Sequence, residues 1–167
     1  LFLPFLEQHQ LILTPGKRLA RDIRRSWVTQ QQSDCAVVVT PRIEALDGWL
    51  EGRWYECIEL GRLPSLRLLS YQQELVLWQQ IIKEDIATLE GFSLMHPRAA
   101  ASRAKEARDR LLMFQAESLD GLWSYFQFDE DCTVFARWAQ QFNQRLSQLA
   151  ATTRYDAYQQ LLTLSDF

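Results

Sequence analysis

Between residues 16 and 25 the chain crowds together Gly16, Lys17, Arg18, Arg21, Arg24 and Arg25, with Asp22 the only acid among them. Two kinds of chemistry use such a set. A Gly-Lys pair after a strand is how a phosphate loop presents its lysine. That loop also needs several glycines, whose backbone N–H groups wrap the phosphates, and a Ser or Thr after the lysine to hold magnesium. Here Thr14-Pro15 precedes the pair, no earlier glycine accompanies it, and Arg18 takes the place of the hydroxyl. Proline also removes one N–H donor. The pair is expected to open a helix rather than to hydrolyse ATP, and no cofactor, catalytic residue or metal ligand is assigned. The second chemistry is electrostatic. On a helix Arg18, Arg21 and Arg25 share a face, with Lys17 and Arg24 flanking it, and such a face can neutralise nucleic-acid phosphates by releasing counterions. These five cations are the candidate nucleic-acid-binding residues; the plainer alternative is a solvated face, or one docked on acidic parts of the same protein.

Other chemistries find less. Restriction-type nucleases place an acid two residues before a lysine, to hold metal and activate water. The lysines here, Lys17, Lys83 and Lys105, follow Pro15, Ile81 and Arg103 at that spacing. Phe128-Asp129-Glu130 is similar to an ATPase acid pair, but Gln127 interrupts the apolar strand that should lead into it. Acid at the start of a helix, where the dipole favours it, is the simpler reading. His9 and His96 have no partners at ligand spacing, and Cys35, Cys57 and Cys132 are odd in number and far apart, as expected of reduced thiols in a cytoplasmic protein.

The elements that position the cations are announced twice. Leu11-Ile12-Leu13-Thr14-Pro15 and Val37-Val38-Val39-Thr40-Pro41 each run from an apolar strand through Thr-Pro toward an amphipathic helix. Thr can cap the helix that follows, and Pro is tolerated at its first position. Strands are therefore expected near 11–14 and 36–40. The first helix, over about 16–30, carries Leu19, Ala20, Ile23 and Trp27 on one side; the second carries Ile43, Leu46, Leu50 and Trp54 inward. Residues 58–69, with Gly61 and Pro64, read as loop. Beyond them the pattern is helical. Ser70 with Gln73 forms a capping box opening a helix to about 89, with Leu75, Trp78 and Ile82 on one stripe and Leu77 and Ile81 on another. Pro97 opens a helix with Ala100, Ala104, Ala107, Leu111 and Phe114 in a stripe. After an Asp120-Gly121 turn, an acid-led helix carries Phe135, Trp138, Phe142, Leu146 and Leu149. Thr153 with Asp156 caps a last helix holding Tyr158, Leu161 and Leu162.

At 167 residues, 47% hydrophobic and 23% charged, the composition is that of a folded chain rather than a disordered one. A net charge of −3 excludes a strongly basic nucleic-acid module while leaving room for a local basic surface. No apolar run reaches membrane-spanning length, and Leu1-Phe2-Leu3-Pro4-Phe5-Leu6 is too short for a signal peptide, so no membrane partner is expected. The absent initiator Met and the ending at Ser165-Asp166-Phe167 are read as those of a piece of a larger protein.

The run Leu11-Ile12-Leu13-Thr14-Pro15-Gly16-Lys17-Arg18-Leu19-Ala20-Arg21 resembles the opening of a bacterial family of DNA repair proteins, large helicase-like relatives of the AddB and RecB subunits that process broken DNA ends. Val39 to Leu50 looks like that family's next block, and Leu68 to Trp78 like the one after it. The helix with Phe135, Trp138 and Phe142, followed by Tyr155-Asp156, is similar to the helical segment inserted in the first motor domain of superfamily I helicases. The resemblance implies an α/β, predominantly helical fold: a small parallel sheet of P-loop helicase-like type in residues 1–69, and a helical subdomain in 70–167. It further implies a non-catalytic, helicase-like N-terminal region of an exonuclease-type repair protein, contributing DNA binding or scaffolding. Its partners would be DNA and the protein's remaining domains or a partner repair subunit. A protein-interaction domain without nucleic-acid binding is the alternative.

Overall fold

The computed structural model describes residues 11–31, 39–88, 96–114 and 130–164. The chain divides into two compact units, Leu1–Arg62 and Leu63–Phe167. The described residues are predominantly helical, with two small parallel strand pairs.

In the first unit, strand β1 (Ile12–Thr14) leads into helix α1 (Lys17–Gln31), and strand β2 (Ile43–Ala45) leads into helix α2 (Leu46–Glu59). β1 and β2 pair in parallel, with Ile12 opposite Ile43, Leu13 opposite Glu44 and Thr14 opposite Ala45. Parallel strands require a crossover, and α1 lies within it. Ala20, Trp27 and Ile43 form the buried cluster, with Ile12, Ile23 and Val28 packed against it. The Trp27 indole donates to the carbonyl of Val39 at 3.2 Å, tying the crossover's return to the helix.

The second strand is not where the repeated Thr-Pro suggests. Val39 and Thr40 carry no strand, residues 36–38 lie outside the described residues, and the strand that pairs with β1 begins after Pro41. Pairing explains the shift. Ile43 is almost wholly buried against Ala20 and Trp27, and a three-residue strand follows its partner and its core contact rather than its own propensity. Leu46, expected inward, is exposed, as is Leu19 on α1. α2 ends in a Schellman arrangement: Arg62 N–H donates to the Cys57 carbonyl and Gly61 N–H to that of Ile58. Gly61 takes φ 68° there, a conformation that favours glycine.

In the second unit, β3 (Arg67–Leu68) precedes helices α3 (Tyr71–Ala87), α4 (Pro97–Phe114) and α5 (Glu130–Gln148), then β4 (Ala151–Thr152) and α6 (Arg154–Leu162). β3 and β4 pair in parallel, so this unit is not purely helical after residue 70 and the stretch 58–69 is not all loop. Arg67 N–H donates to the Ala150 carbonyl and Leu69 N–H to that of Thr152, both at 2.9 Å. Ala150 reaches its place with φ 46°, unusual for a residue with a Cβ.

The capping box at Ser70 is present, with the Ser70 side chain accepting from Gln73 N–H and the Gln73 side chain accepting from Ser70 N–H. Both apolar stripes of α3 are buried, because the helix packs on α4 and α5. Trp78 stacks on Phe142, with ring centroids 4.4 Å apart and planes 11° from parallel. The stripe expected on α4 is displaced: its buried residues are Ala101, Ala104, Lys105 and Arg108, while Phe114 is exposed. Leu149 and Leu162 are likewise exposed at the ends of their stripes. The Asp120-Gly121 turn, and Phe128 and Asp129 of the acid pair, lie outside the described residues.

Candidate nucleic-acid interface

β1 and β2 point the same way and stop side by side at Thr14 and Ala45. Both following helices therefore leave from one edge of the strand pair. In parallel α/β arrangements the crevice outside the strands' carboxyl ends is where ligands bind. An open concavity of about 570 Å³ lies at this edge, lined by Lys17, Ala20, Arg21, Arg24, Glu44, Ala45, Gly48 and Trp49.

The turn that delivers the cations is built differently from the expectation. Thr14 is buried, and its hydroxyl lies 3.1 Å from the Gly16 carbonyl and 3.2 Å from that of Glu44. It donates within its own turn, to Gly16, and across the strand pair, to Glu44, instead of accepting from the helix, so it fastens the turn and does not cap α1. Helical bonding starts at Gly16, whose carbonyl accepts from Ala20 N–H, and Pro15 sits ahead of the helix. Among the described residues, a Cβ added at Gly16 would meet nothing within 4 Å.

All five predicted cations are exposed on α1, but they do not act as one face. The concavity takes Lys17, Arg21 and Arg24, which recur every three to four residues and so form one ridge. Arg18 and Arg25 are not among its lining residues. Arg18 is almost fully solvated, at the 4.0 Å limit of an exposed pair with Asp22, an interaction that contributes little. The Arg24 guanidinium donates to the Ile43 carbonyl, which anchors the side chain to β2. Among the described residues no carboxylate pairs with Lys17, Arg21, Arg24 or Arg25. Glu44 lines the same concavity without an ion pair to them.

Sequence reasoning misses the residues that the second strand and its helix bring to this site, Glu44, Ala45, Gly48 and Trp49. The Thr-Pro pattern hides them, since it puts the strand before Pro41. The one signal in the sequence is Gly48 with Gly52, two poor helix formers in a short helical stretch. No group of His, Cys, Asp or Glu among the described residues is arranged to hold a metal ion. His96 is exposed just before α4, and Cys57 is buried and Cys132 half-buried; His9 and Cys35 lie outside the described residues.

The buried cations of the second unit do a different job. Lys105 bridges Asp109 at 2.6 Å and Glu74 at 3.1 Å, and lies 5.0 Å from the Tyr71 ring centroid. Burial pushes the Glu74 carboxyl above the usual carboxylate range, and Lys105 only partly offsets this. Burial alone would lower the Lys105 ammonium, but contact with Asp109 and then Glu74 outweighs it and raises it. Arg108 grips Asp156 through both carboxylate oxygens at 3.0 and 2.9 Å and donates to Asn143 at 2.9 Å. Asp156 in turn accepts from the Thr153 hydroxyl at 2.7 Å. Asp85 is buried and accepts from Arg137 and from the Trp138 indole, both at 2.7 Å. These networks join α3 to α5 and α4 to α5 and α6. They hold the bundle together, and the buried cations in them are matched within it.

No family model, curated protein or solved structure matches this chain. Among the described residues, no helix is long and apolar enough to cross a membrane.

Proposed function

We propose that the first unit binds nucleic acid through Lys17, Arg21 and Arg24. We further propose that the chain is a non-catalytic, helicase-like region of a cytoplasmic DNA repair protein, related to the AddB and RecB subunits, with the second unit as a helical scaffold. The observation that carries the reading is the ridge of cations, unpaired with carboxylates among the described residues, lining a concavity at the carboxyl ends of two parallel strands. A polyanion fits such a ridge because each neutralised phosphate releases counterions. The helicase-like assignment rests on the sequence blocks beginning at Leu11, Val39 and Leu68, and a β-α-β-α start whose two strands pair in parallel is compatible with it. The absence of a glycine-rich turn around Lys17 favours binding without ATP hydrolysis.

Fluorescence anisotropy with labelled DNA tests the reading. The Lys17→Ala, Arg21→Ala, Arg24→Ala variant is expected to lose most of the affinity, while Arg18→Ala, Arg25→Ala keeps most of it. Equal affinity in wild type and the triple variant would remove the proposed role.

A second reading has its own observation. Leu69, Leu77, Val76 and Leu149 line a shallow apolar groove of about 300 Å³ with Arg67, Gln72, Gln73 and Gln80, and Val76 and Leu149 are exposed there. That surface favours a protein-interaction role for the second unit. Self-association or partner binding abolished by Val76→Glu, with no DNA affinity in the wild type, would favour it over the first.

A further inference from the structure

Three of the five α1 cations converge on one bounded space. Lys17, Arg21 and Arg24 are exposed and line the concavity, whereas Arg18 and Arg25 do not. The three recur at i, i+4 and i+7, which spreads them over about 10 Å of helix at about 1.5 Å per residue. The volume they border, about 570 Å³, lies within the range of about 300–1,000 Å³ found for small-ligand pockets. An extended strand following α1 meets Arg18 and Arg25 as readily as the other three. A compact anion seated in the concavity meets only the ridge.

The charge of this space is concentrated. Three cations line it against one acid, Glu44, which leaves an excess of two positive charges. Like charges held close repel one another, and an anion whose own charges are equally close relieves that repulsion best. Linked phosphates are such an anion: a bridging oxygen joins neighbours, where a nucleic-acid strand interposes a sugar. Arg24 also arrives preorganised, because its guanidinium donates to the Ile43 carbonyl and is held at the edge of β2. A guanidinium carries several N–H donors, so one carbonyl leaves others over for phosphate oxygens.

A phosphate loop shares this neutralisation between its lysine and a magnesium ion held by a hydroxyl. At this turn Arg18 stands in the hydroxyl's place. The Thr14 hydroxyl is committed to the Gly16 and Glu44 carbonyls. Side-chain cations therefore supply the positive charge of the site. We propose that the concavity is a magnesium-independent site for a compact polyphosphate chain, recognised through its phosphates by Lys17, Arg21 and Arg24. The site goes beyond the nucleic-acid reading but uses the same side chains. Its one link to that reading is competition: where the ridge binds nucleic acid, the two ligands exclude each other.

Isothermal titration calorimetry of the whole chain with inorganic tripolyphosphate in EDTA tests this, with orthophosphate for comparison. Tripolyphosphate is expected to bind about tenfold tighter than orthophosphate, or more. Lys17→Ala, Arg21→Ala should weaken it by about tenfold or more, and Arg18→Ala, Arg25→Ala by less than about twofold. The first of these variants keeps the Arg24 contact with β2, so its loss reports binding rather than folding. Excess magnesium should weaken binding, because the ion neutralises the ligand in solution and finds no hydroxyl to hold it in the site. Adenosine triphosphate separates a nucleotide from a free polyphosphate as the source. An affinity within about threefold of tripolyphosphate means that phosphates alone are read, and one more than about tenfold higher overturns that. Tighter binding with magnesium, equal binding of orthophosphate, or equal losses in the two variants also overturns the proposal. Anisotropy with a labelled oligonucleotide keeps the two readings apart. If the Lys17, Arg21, Arg24 variant loses the oligonucleotide while wild type binds no tripolyphosphate, the polyphosphate site is wrong and the nucleic-acid reading stands. If wild type binds tripolyphosphate and that variant keeps its oligonucleotide affinity, the site stands and the nucleic-acid reading falls.

Discussion

The two units use the same cationic side chains for opposite ends. In the second unit Lys105 and Arg108 are buried, their side chains 9% and 4% exposed; Lys105 is matched by Glu74 and Asp109, and Arg108 by Asp156 with Asn143. In the first unit Arg18 is 92% exposed, and Lys17, Arg21 and Arg24 line a concavity with no carboxylate paired to them among the described residues. A buried charge must be matched on the spot, because removing it from water costs several kcal/mol per ion. An exposed charge incurs no such penalty and stays available for a ligand. Burial, not residue type, separates structural cations from candidate binding ones. The cores differ to match: α3, α4 and α5 share an extended apolar cluster around Trp78 and Phe142, whereas β1, α1 and β2 are held by Ala20, Trp27 and Ile43.

The largest expected effect is at Arg108. Arg108→Met strands Asp156 and Asn143 in a half-buried setting, and should destabilise the second unit by about 3–5 kcal/mol. Guanidinium denaturation checks this. Arg108→Lys should recover little, because a single ammonium cannot span both Asp156 oxygens and Asn143 together. A loss below about 1 kcal/mol would erase the contrast between the units. Next comes Ala150, whose left-handed backbone costs about 1–2 kcal/mol in a residue with a Cβ. Ala150→Gly should stabilise the chain by about 0.5–1 kcal/mol, less than the full strain because glycine is also freer when unfolded. A rise in thermal midpoint is the readout.

Glu74 sharpens the comparison through pH. Its carboxyl is raised in the folded chain by burial, so in the interval just above its ordinary value of 4.5 the folded state holds a proton that the unfolded state has released. Stability must then fall as pH rises through that interval. Lys105 is raised as well, so its contribution is fully present below its ordinary value of 10.5 and is lost as pH rises through the higher folded value. Glu74→Gln should flatten the acidic part of this profile and also reduce the alkaline part, since Glu74 is one of the partners that raise Lys105; an unchanged acidic slope in urea titrations across pH would contradict the burial argument. The smallest effect on folding is expected in the first unit. Arg21→Ala should shift the unfolding free energy by no more than about 0.5 kcal/mol, as exposed positions do, whatever it does to binding.

How legible these features are depends on their range along the chain. The Ser70–Gln73 box, the Thr153–Asp156 cap and Pro97 at the start of α4 all work within one helical turn, and all three stand as read. β1 and α1 fall within a residue or so of their expected bounds. β2 escapes local reading because two Thr-Pro runs look alike, whereas the strand is chosen by its pairing to Ile12–Thr14. β3 and β4 are invisible for the same reason: Arg67 and Leu68 have no pattern of their own and are strands only because Ala151 and Thr152 lie beside them. The α4 stripe fails differently. Lys105 and Arg108 look like solvated charges until partners 31 and 48 residues away, Glu74 and Asp156, are brought to them by the fold. In the site, the cations are legible by type and spacing, but their sorting into Lys17, Arg21 and Arg24 against Arg18 and Arg25 requires the position of β2.

Whether the first unit's cations are free for a polyanion is most directly read from the salt dependence of binding. With a labelled single-stranded oligonucleotide, three engaged phosphates predict that log K falls with log salt at a slope of about −2 in the wild type. The slope should stay near that value in Arg18→Ala, Arg25→Ala and approach zero in Lys17→Ala, Arg21→Ala, Arg24→Ala. Equal slopes in wild type and the triple variant would contradict the account.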